Sequence, residues 1–174
     1  MTIREASIRD NVAIEAIYRA AFPVEEADTV AALAVELLES DAPTFSLVSE
    51  TGAIPCAHIG FSPVVVAGIP EVTGFILAPL AVAPDNQKNG VGSRLVEAGL
   101  KRLVEADADF VLVYGDPAYY GRFGFEADTA TAFLPPYPLE YPFGWQCRLL
   151  GDRVIGQHPS DITCVPALSR PELW

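Results

Sequence analysis

A chain of 174 residues can bury one sizeable core, and 51% hydrophobic against 20% charged residues exclude a disordered chain. A formal net charge of −12 argues against a nucleic-acid surface, and no apolar run reaches the length of a membrane span. The opening Met-Thr-Ile-Arg-Glu-Ala lacks the basic-then-apolar order of a secretion signal, so the cytoplasm is the expected compartment. Cys56, Cys147 and Cys164 show neither metal-ligand nor Cys-x-x-Cys spacing and read as reduced structural thiols.

In chain order, Thr2 to Ala6 predicts a short strand, with Ser7 as the N-cap of a helix. Ile8, Val12, Ile14, Ile17, Tyr18 and Ala21 form its apolar face, and Pro23 ends it. A second helix is expected from Asp28 to Leu38, with Val30, Leu33, Ala34 and Leu37 inward. The loop between them, Phe22 to Ala27, carries Glu25 and Glu26, which either receive a cationic amine or stay solvated. Thr44 to Ser49 and Ile54 to Val66 read as an antiparallel pair around Glu50-Thr51-Gly52. Cys56 and His58 share a face of the second of these strands. A thiol with its base, a lone His58 proton acceptor and two packed residues are the readings open there.

Val72 to Val82 reads as a central strand, and Pro79, which has no N–H to give a ladder, marks a bulge or an unpaired position in it. Pro84-Asp85-Asn86 stops the strand, and from Val91 the apolar spacing becomes helical through Val96, Leu100, Leu103 and Val104. Gly90 and Gly92 lie at this junction. A helix N-terminus opened by glycines offers unpaired amides and the positive end of the dipole to an anion; an ordinary strand-to-helix turn is the plain alternative. No Lys-Ser/Thr pair follows either glycine, which excludes a P-loop, and Leu95 stands where a dinucleotide fingerprint needs a third small residue. Local charge agrees with an anion: from Asn86 to Arg102 the bases Lys88, Arg94, Lys101 and Arg102 face only Glu97.

What remains is Gln-x-x-Gly-x-Gly, spelled Gln87-Lys88-Asn89-Gly90-Val91-Gly92. This resembles the pyrophosphate loop of the GNAT superfamily of acetyl-CoA-dependent N-acetyltransferases. A second segment, Gly115 to Phe125 after the apolar strand Phe110 to Tyr114, is similar to that family's short tyrosine-bearing helix followed by Gly-Phe, with Tyr120 and Gly124-Phe125 at those places. The resemblance implies a single α/β (α+β) domain over 1–174 with its motif core at 72–125. Its sheet would be mixed and mostly antiparallel, with a splayed, bulged fourth strand and helices on both faces. It further implies acetyl-CoA as acyl donor, held by Gln87, Lys88, Asn89, Gly90, Val91, Gly92 and Ser93, with backbone contacts from Leu80, Ala81 and Val82. Tyr120 would protonate the leaving thiolate during direct transfer to an amine of a small molecule or peptide. No metal is implied.

The resemblance weakens beyond Glu126. Pro135 to Pro142 holds four prolines in eight residues and must be irregular, Trp145 to Leu150 reads as a closing strand, and Gly151 to Trp174 as a surface tail. The Pro- and aromatic-rich stretch from Phe133 to Trp145 offers an apolar surface either to a homodimer, since family members commonly pair, or to packing around an acceptor groove. Some members carry a glutamate base on the fourth strand, whereas no ionisable side chain lies between Glu71 and Asp85 here. Either the base comes from elsewhere, with His58, Glu25, Glu26 or Glu71 through water as candidates, or the amine arrives neutral. The functional alternatives are a non-catalytic acyl-CoA-binding module and transfer of a different acyl group.

Overall fold

The computed structural model describes residues 1–153 and 158–174. In chain order the elements are β1 (Thr2–Glu5), α1 (Asn11–Ala21), α2 (Val24–Leu38), β2 (Phe45–Thr51), β3 (Ile54–Val66), β4 (Gly74–Val82) and α3 (Val91–Glu105). Then follow β5 (Phe110–Tyr114), α4 (Pro117–Tyr120), α5 (Ala127–Ala130), β6 (Phe133–Leu134), β7 (Trp145–Leu149) and β8 (Ser160–Cys164). The fold is mixed α/β with an open, mostly antiparallel sheet; β4 with β5 and β6 with β8 are its parallel pairs. The chain forms two compact units, Met1–Phe61 with Ala78–Lys101 and Ser62–Leu77 with Arg102–Trp174.

In the first unit, β1, β2 and β3 are antiparallel neighbours in registers such as Ile3 opposite Ser49 and Val48 opposite His58. Helices α1 and α2 close a core of Ile14, Ile17, Tyr18, Ala31, Ala34, Val48 and Ala81. Burying a side chain such as Ile14, fully enclosed, stabilises by roughly 1.5–3 kcal/mol. The turn into α1 is fixed by charge: Asp10 accepts from the Ser7 amide at 2.7 Å and receives both Arg4 Nη atoms at 2.8 and 2.9 Å. Those bonds hold the Asp10 carboxyl at about 2, below its ordinary range.

Two expectations for this unit are corrected. Ile8 and Val12 are 65% and 80% exposed: Ile8 lies in a 3₁₀ turn, Ile8–Asp10, before the helix, and Val12 lies in α1 about 200° round from buried Ile14, on its solvent face. Glu25 and Glu26 are not in a loop. Pro23, preset in φ, directly precedes α2, so both carboxylates lie exposed in its first turn, where they complement the helix dipole.

In the second unit, Gly74–Leu77 of β4 pairs in parallel with Phe110–Val113 of β5, whose other edge pairs with β7. Gly74 is required by packing, since a Cβ there would run into the Phe110 ring. Phe110 in turn stacks on Phe133 at 4.2 Å. The last stretch is not a surface tail: β8 pairs Cys164 with Val64 and Ile162 with Val66, and Ile162, Cys164, Val165, Ala167 and Leu168 are buried. Five alternating residues are too short a pattern to announce a strand whose partner lies so far back in the chain. Of that stretch, 154–157 lies outside the described residues.

Candidate functional site

The junction between β4 and α3 is built to leave main-chain donors free. After a 3₁₀ turn at Pro84–Asn86, Lys88 and Gly90 take left-handed conformations with φ of 60° and 72°. The Gln87 amide nitrogen Nε2 donates to the Val82 carbonyl at 2.9 Å and ties the loop to the strand end. The first bond of the α3 ladder is donated by the Arg94 amide to the Gly90 carbonyl at 3.1 Å. The amides of Val91, Gly92 and Ser93 therefore precede the ladder and face the positive end of the dipole. Val91 is buried and anchors the turn, while Gln87, Lys88, Asn89 and Gly90 are exposed and Gly92 and Ser93 half-buried.

Gly90 is needed for its conformation. A Cβ on Gly90 would meet only Arg94 Nη1, at 3.3 Å, so space is not limiting. The left-handed φ is, since other residues pay for it. Successive turns of this kind aim amides into one concavity, which fits an anion such as a pyrophosphate. Gly99, further along α3, lets the helix lie on β3, because a Cβ there would strike the Phe61 ring.

Of the β4 residues, Ala81 is buried in the core between α1 and α2, and Leu80 and Val82 are half-buried, so backbone groups are what this stretch can offer a ligand. The β4–β5 register ends at Leu77 opposite Val113, one residue before Ala78-Pro79.

Tyr120 and Tyr119 are both half-buried but differently employed. Asp116 caps α4 by accepting from the Ala118 amide at 2.9 Å, and Pro117 takes the first helical position. That Asp-Pro pair is a start signal the sequence offers and the reading of the motif passed over. Tyr119 lies under the Arg122 guanidinium at 4.6 Å and edge-on to Phe123. The Tyr120 ring instead packs over Gly115 and meets Phe125 edge-on at 5.8 Å. Burial, and secondarily Tyr119, pushes the Tyr120 phenol well above its ordinary range, so it keeps its proton at neutral pH.

The nucleophile reading of Cys56 is not supported by its bonds: Sγ donates to the Ser49 carbonyl at 3.3 Å. Cys147 and Cys164 are pushed up to about 12 and about 11 by burial, which keeps them as thiols. His58 is 1% exposed; its Nδ1 meets the Tyr18 hydroxyl at 2.8 Å and its Nε2 has no partner. Burial lowers it to about 3, so it is a neutral and weakly basic imidazole. Tyr18, the group that orients it, was legible only as a core position. Among the described residues no group of His, Cys, Asp and Glu could hold a metal ion, and no helix is long and apolar enough to cross a membrane.

Comparison with known proteins places this geometry. The family model described as "Acetyltransferase (GNAT) domain" matches residues 2–127. The chain is 36% identical over 130 residues to the Escherichia coli K12 protein named uncharacterized N-acetyltransferase YjhQ, covering 72% of this chain and 71% of that one. It is 37% identical over 128 residues to E. coli YhbS, also named an uncharacterized N-acetyltransferase, covering 72% and 74%. The crystal structure of E. coli YhbS in complex with CoA superposes with a TM-score of 0.84 at 29% identity, covering 97% of this chain and 92% of that one. A Brucella melitensis GNAT acetyltransferase in complex with acetyl-CoA superposes with a TM-score of 0.71 at 29% identity, covering 95% and 96%. The chain belongs to the GNAT acetyltransferase family and is an acyltransferase of the N-acetyltransferase type.

Proposed function

We propose that this enzyme moves an acetyl group from acetyl-CoA directly to an amine of a small molecule or peptide. The observation that carries this reading is the β4–α3 junction, where two left-handed residues and a helix start leave amides free in a locally basic stretch. Gln87 to Ser93 would hold the pyrophosphate through those amides, with Lys88 adding charge. Backbone groups of Leu80, Ala81 and Val82 would line the pantetheine arm, as the family resemblance implies.

When bound, acetyl-CoA supplies an acetyl group activated as a thioester. The chain's own work is to hold that group still and to manage protons. Tyr120 holds a proton on Oη for the departing sulfur, and its raised pKa keeps that proton in place until negative charge develops nearby. None of the described hydrogen bonds ties up its hydroxyl. His58, enclosed and lowered to about 3, is a poor acceptor for the amine's proton, so the amine is best delivered neutral or relieved by water.

Calorimetric titration of acetyl-CoA, followed by thiol release with an amine panel, tests this reading. Saturable binding and amine-dependent thiol release are expected. Absence of binding would overturn the loop assignment, and binding without turnover by any amine would favour an acyl-CoA-binding module.

A further inference from the structure

The second unit holds a cavity of about 510 Å³ beside α4 that none of the residues assigned above uses. That size suits a small molecule. Its walls are aromatic: the Tyr114 and Trp174 rings lie nearly parallel, 6.4 Å apart, and Tyr141 and Phe143 stand 53% and 65% exposed. Polar ends of these residues are partly occupied. The Tyr114 hydroxyl accepts from the Tyr141 amide at 2.9 Å, and Trp174 Nε1 donates to the Leu168 carbonyl at 3.0 Å. The ring faces and the Tyr114 O–H are left to a ligand.

Asp116, Glu140 and Glu172 also line the cavity, and among the described residues no lysine or arginine does. Ring faces attract cations through their quadrupoles, and carboxylates add a field of the same sign. Gly115 joins the cavity to Tyr120, because it lines the one and carries the ring of the other.

We infer that this cavity binds the positively charged tail of the acceptor, and that the acceptor is a small amine with at least two basic nitrogens, one held as ammonium in the cavity. This rests on the acetyltransferase reading with Tyr120 as acid. The requirement for two centres follows from protonation. An amine must be neutral to attack, whereas an amine among three carboxylates is held as ammonium. The nitrogen bound in the cavity is therefore not the one acetylated.

Calorimetry with spermidine, kanamycin and butylamine, on the protein with and without CoA, tests this. Spermidine or kanamycin should bind at least tenfold tighter than butylamine, and which of the two does so separates a linear polyamine from a cyclic aminosugar. The double variant Glu140→Gln/Glu172→Gln should lose that advantage while its affinity for CoA stays unchanged, and Tyr141→Ala/Phe143→Ala should weaken the same ligand. Equal binding of butylamine, or full retention by the carboxamide variant, would overturn the inference. Failure of the acetyltransferase reading shows separately, as loss of CoA binding or of thiol release, while the amine titration still decides the cavity.

Discussion

Two regions of this molecule meet charge by opposite means. The loop from Gln87 to Ser93 offers an anion main-chain amides, and its identity lies in φ angles and in where the α3 ladder begins. The cavity beside α4 offers a cation side-chain faces and carboxylates gathered from Tyr114 to Trp174. A site made of backbone depends on a few local residues and tolerates exchange of the rest. A site made of side chains depends on each of them and on the fold that collects them.

The sharpest way to break this contrast is at Gly90. With φ at 72° and only the far end of the Arg94 side chain near a Cβ, the position demands a conformation more than a small volume. Gly90→Val, β-branched and unable to hold that φ cheaply, should abolish acetyl-CoA binding in calorimetry. Gly90→Asn, which enters the left-handed region more readily, should retain most of it. Equal loss in both, with melting temperatures unchanged, would mean that the side-chain space matters and the backbone argument is wrong.

Next in size is the pair of tyrosines. A general acid contributes on the order of 10²–10⁴ in rate, so Tyr120→Phe should lower kcat about a hundredfold with little change in acetyl-CoA affinity. Tyr119→Phe, whose ring keeps its place under Arg122, should be nearly silent. Impairment of Tyr119→Phe alone, or of both equally, would remove Tyr120 from its role.

Legibility followed the same division. The strand, the polar turn and the helix from Val91 are all set by neighbours in sequence, and so are β3 and β5, which run as their apolar patterns dictate. The cavity was legible only as the apolar stretch from Phe133 to Trp145, because Asp116, Glu140 and Glu172 come together only when β7 and the final 3₁₀ turns are in place. The same holds for β8, which needs Val64–Val66 of β3 to be a strand at all. Ile8 and Val12 misled for local reasons: Ile8 lies in a 3₁₀ turn ahead of α1, and Val12, two residues before buried Ile14, falls on the opposite face of the helix.

Two protons of the first unit are governed differently, by burial at His58 and by the Arg4 charge at Asp10, and pH separates the two cases. His58 in the first unit lies at about 3 against an ordinary 6.5, so the unfolded chain takes up the proton first as pH falls. The stability tied to neutral His58 is complete above pH 6.5 and is lost between 6.5 and 3, at up to about 1.4 kcal/mol per pH unit. Asp10, held at about 2 by Arg4, adds its own loss only below its ordinary 3.8. Melting curves of the protein and of His58→Gln should therefore diverge between pH 6.5 and 4 and run parallel above 7. Parallel curves throughout would show that His58 is charged or reached by water when folded.

The smallest expected effect is at Lys88, and it sharpens the contrast most finely. Lys88 is a non-glycine residue at a left-handed φ of 60°, exposed at the loop tip. Two contributions to anion binding meet in it: a cationic side chain and a backbone held in a costly conformation. Lys88→Ala removes the charge and keeps the strain, which is on the order of 1 kcal/mol. Lys88→Gly removes both, and adds freedom to the loop before the ligand arrives. If the amides dominate, both variants should bind acetyl-CoA only about two- to fivefold more weakly at low salt, a difference of about 0.4–1 kcal/mol, and the gap from the parent should close as salt rises. Lys88→Gly should then also melt no lower than Lys88→Ala, because the strain relieved offsets the entropy gained by the unfolded chain. A loss above a hundredfold in Lys88→Ala would make the side chain the principal phosphate ligand, and the loop would join the cavity as a site made of side chains.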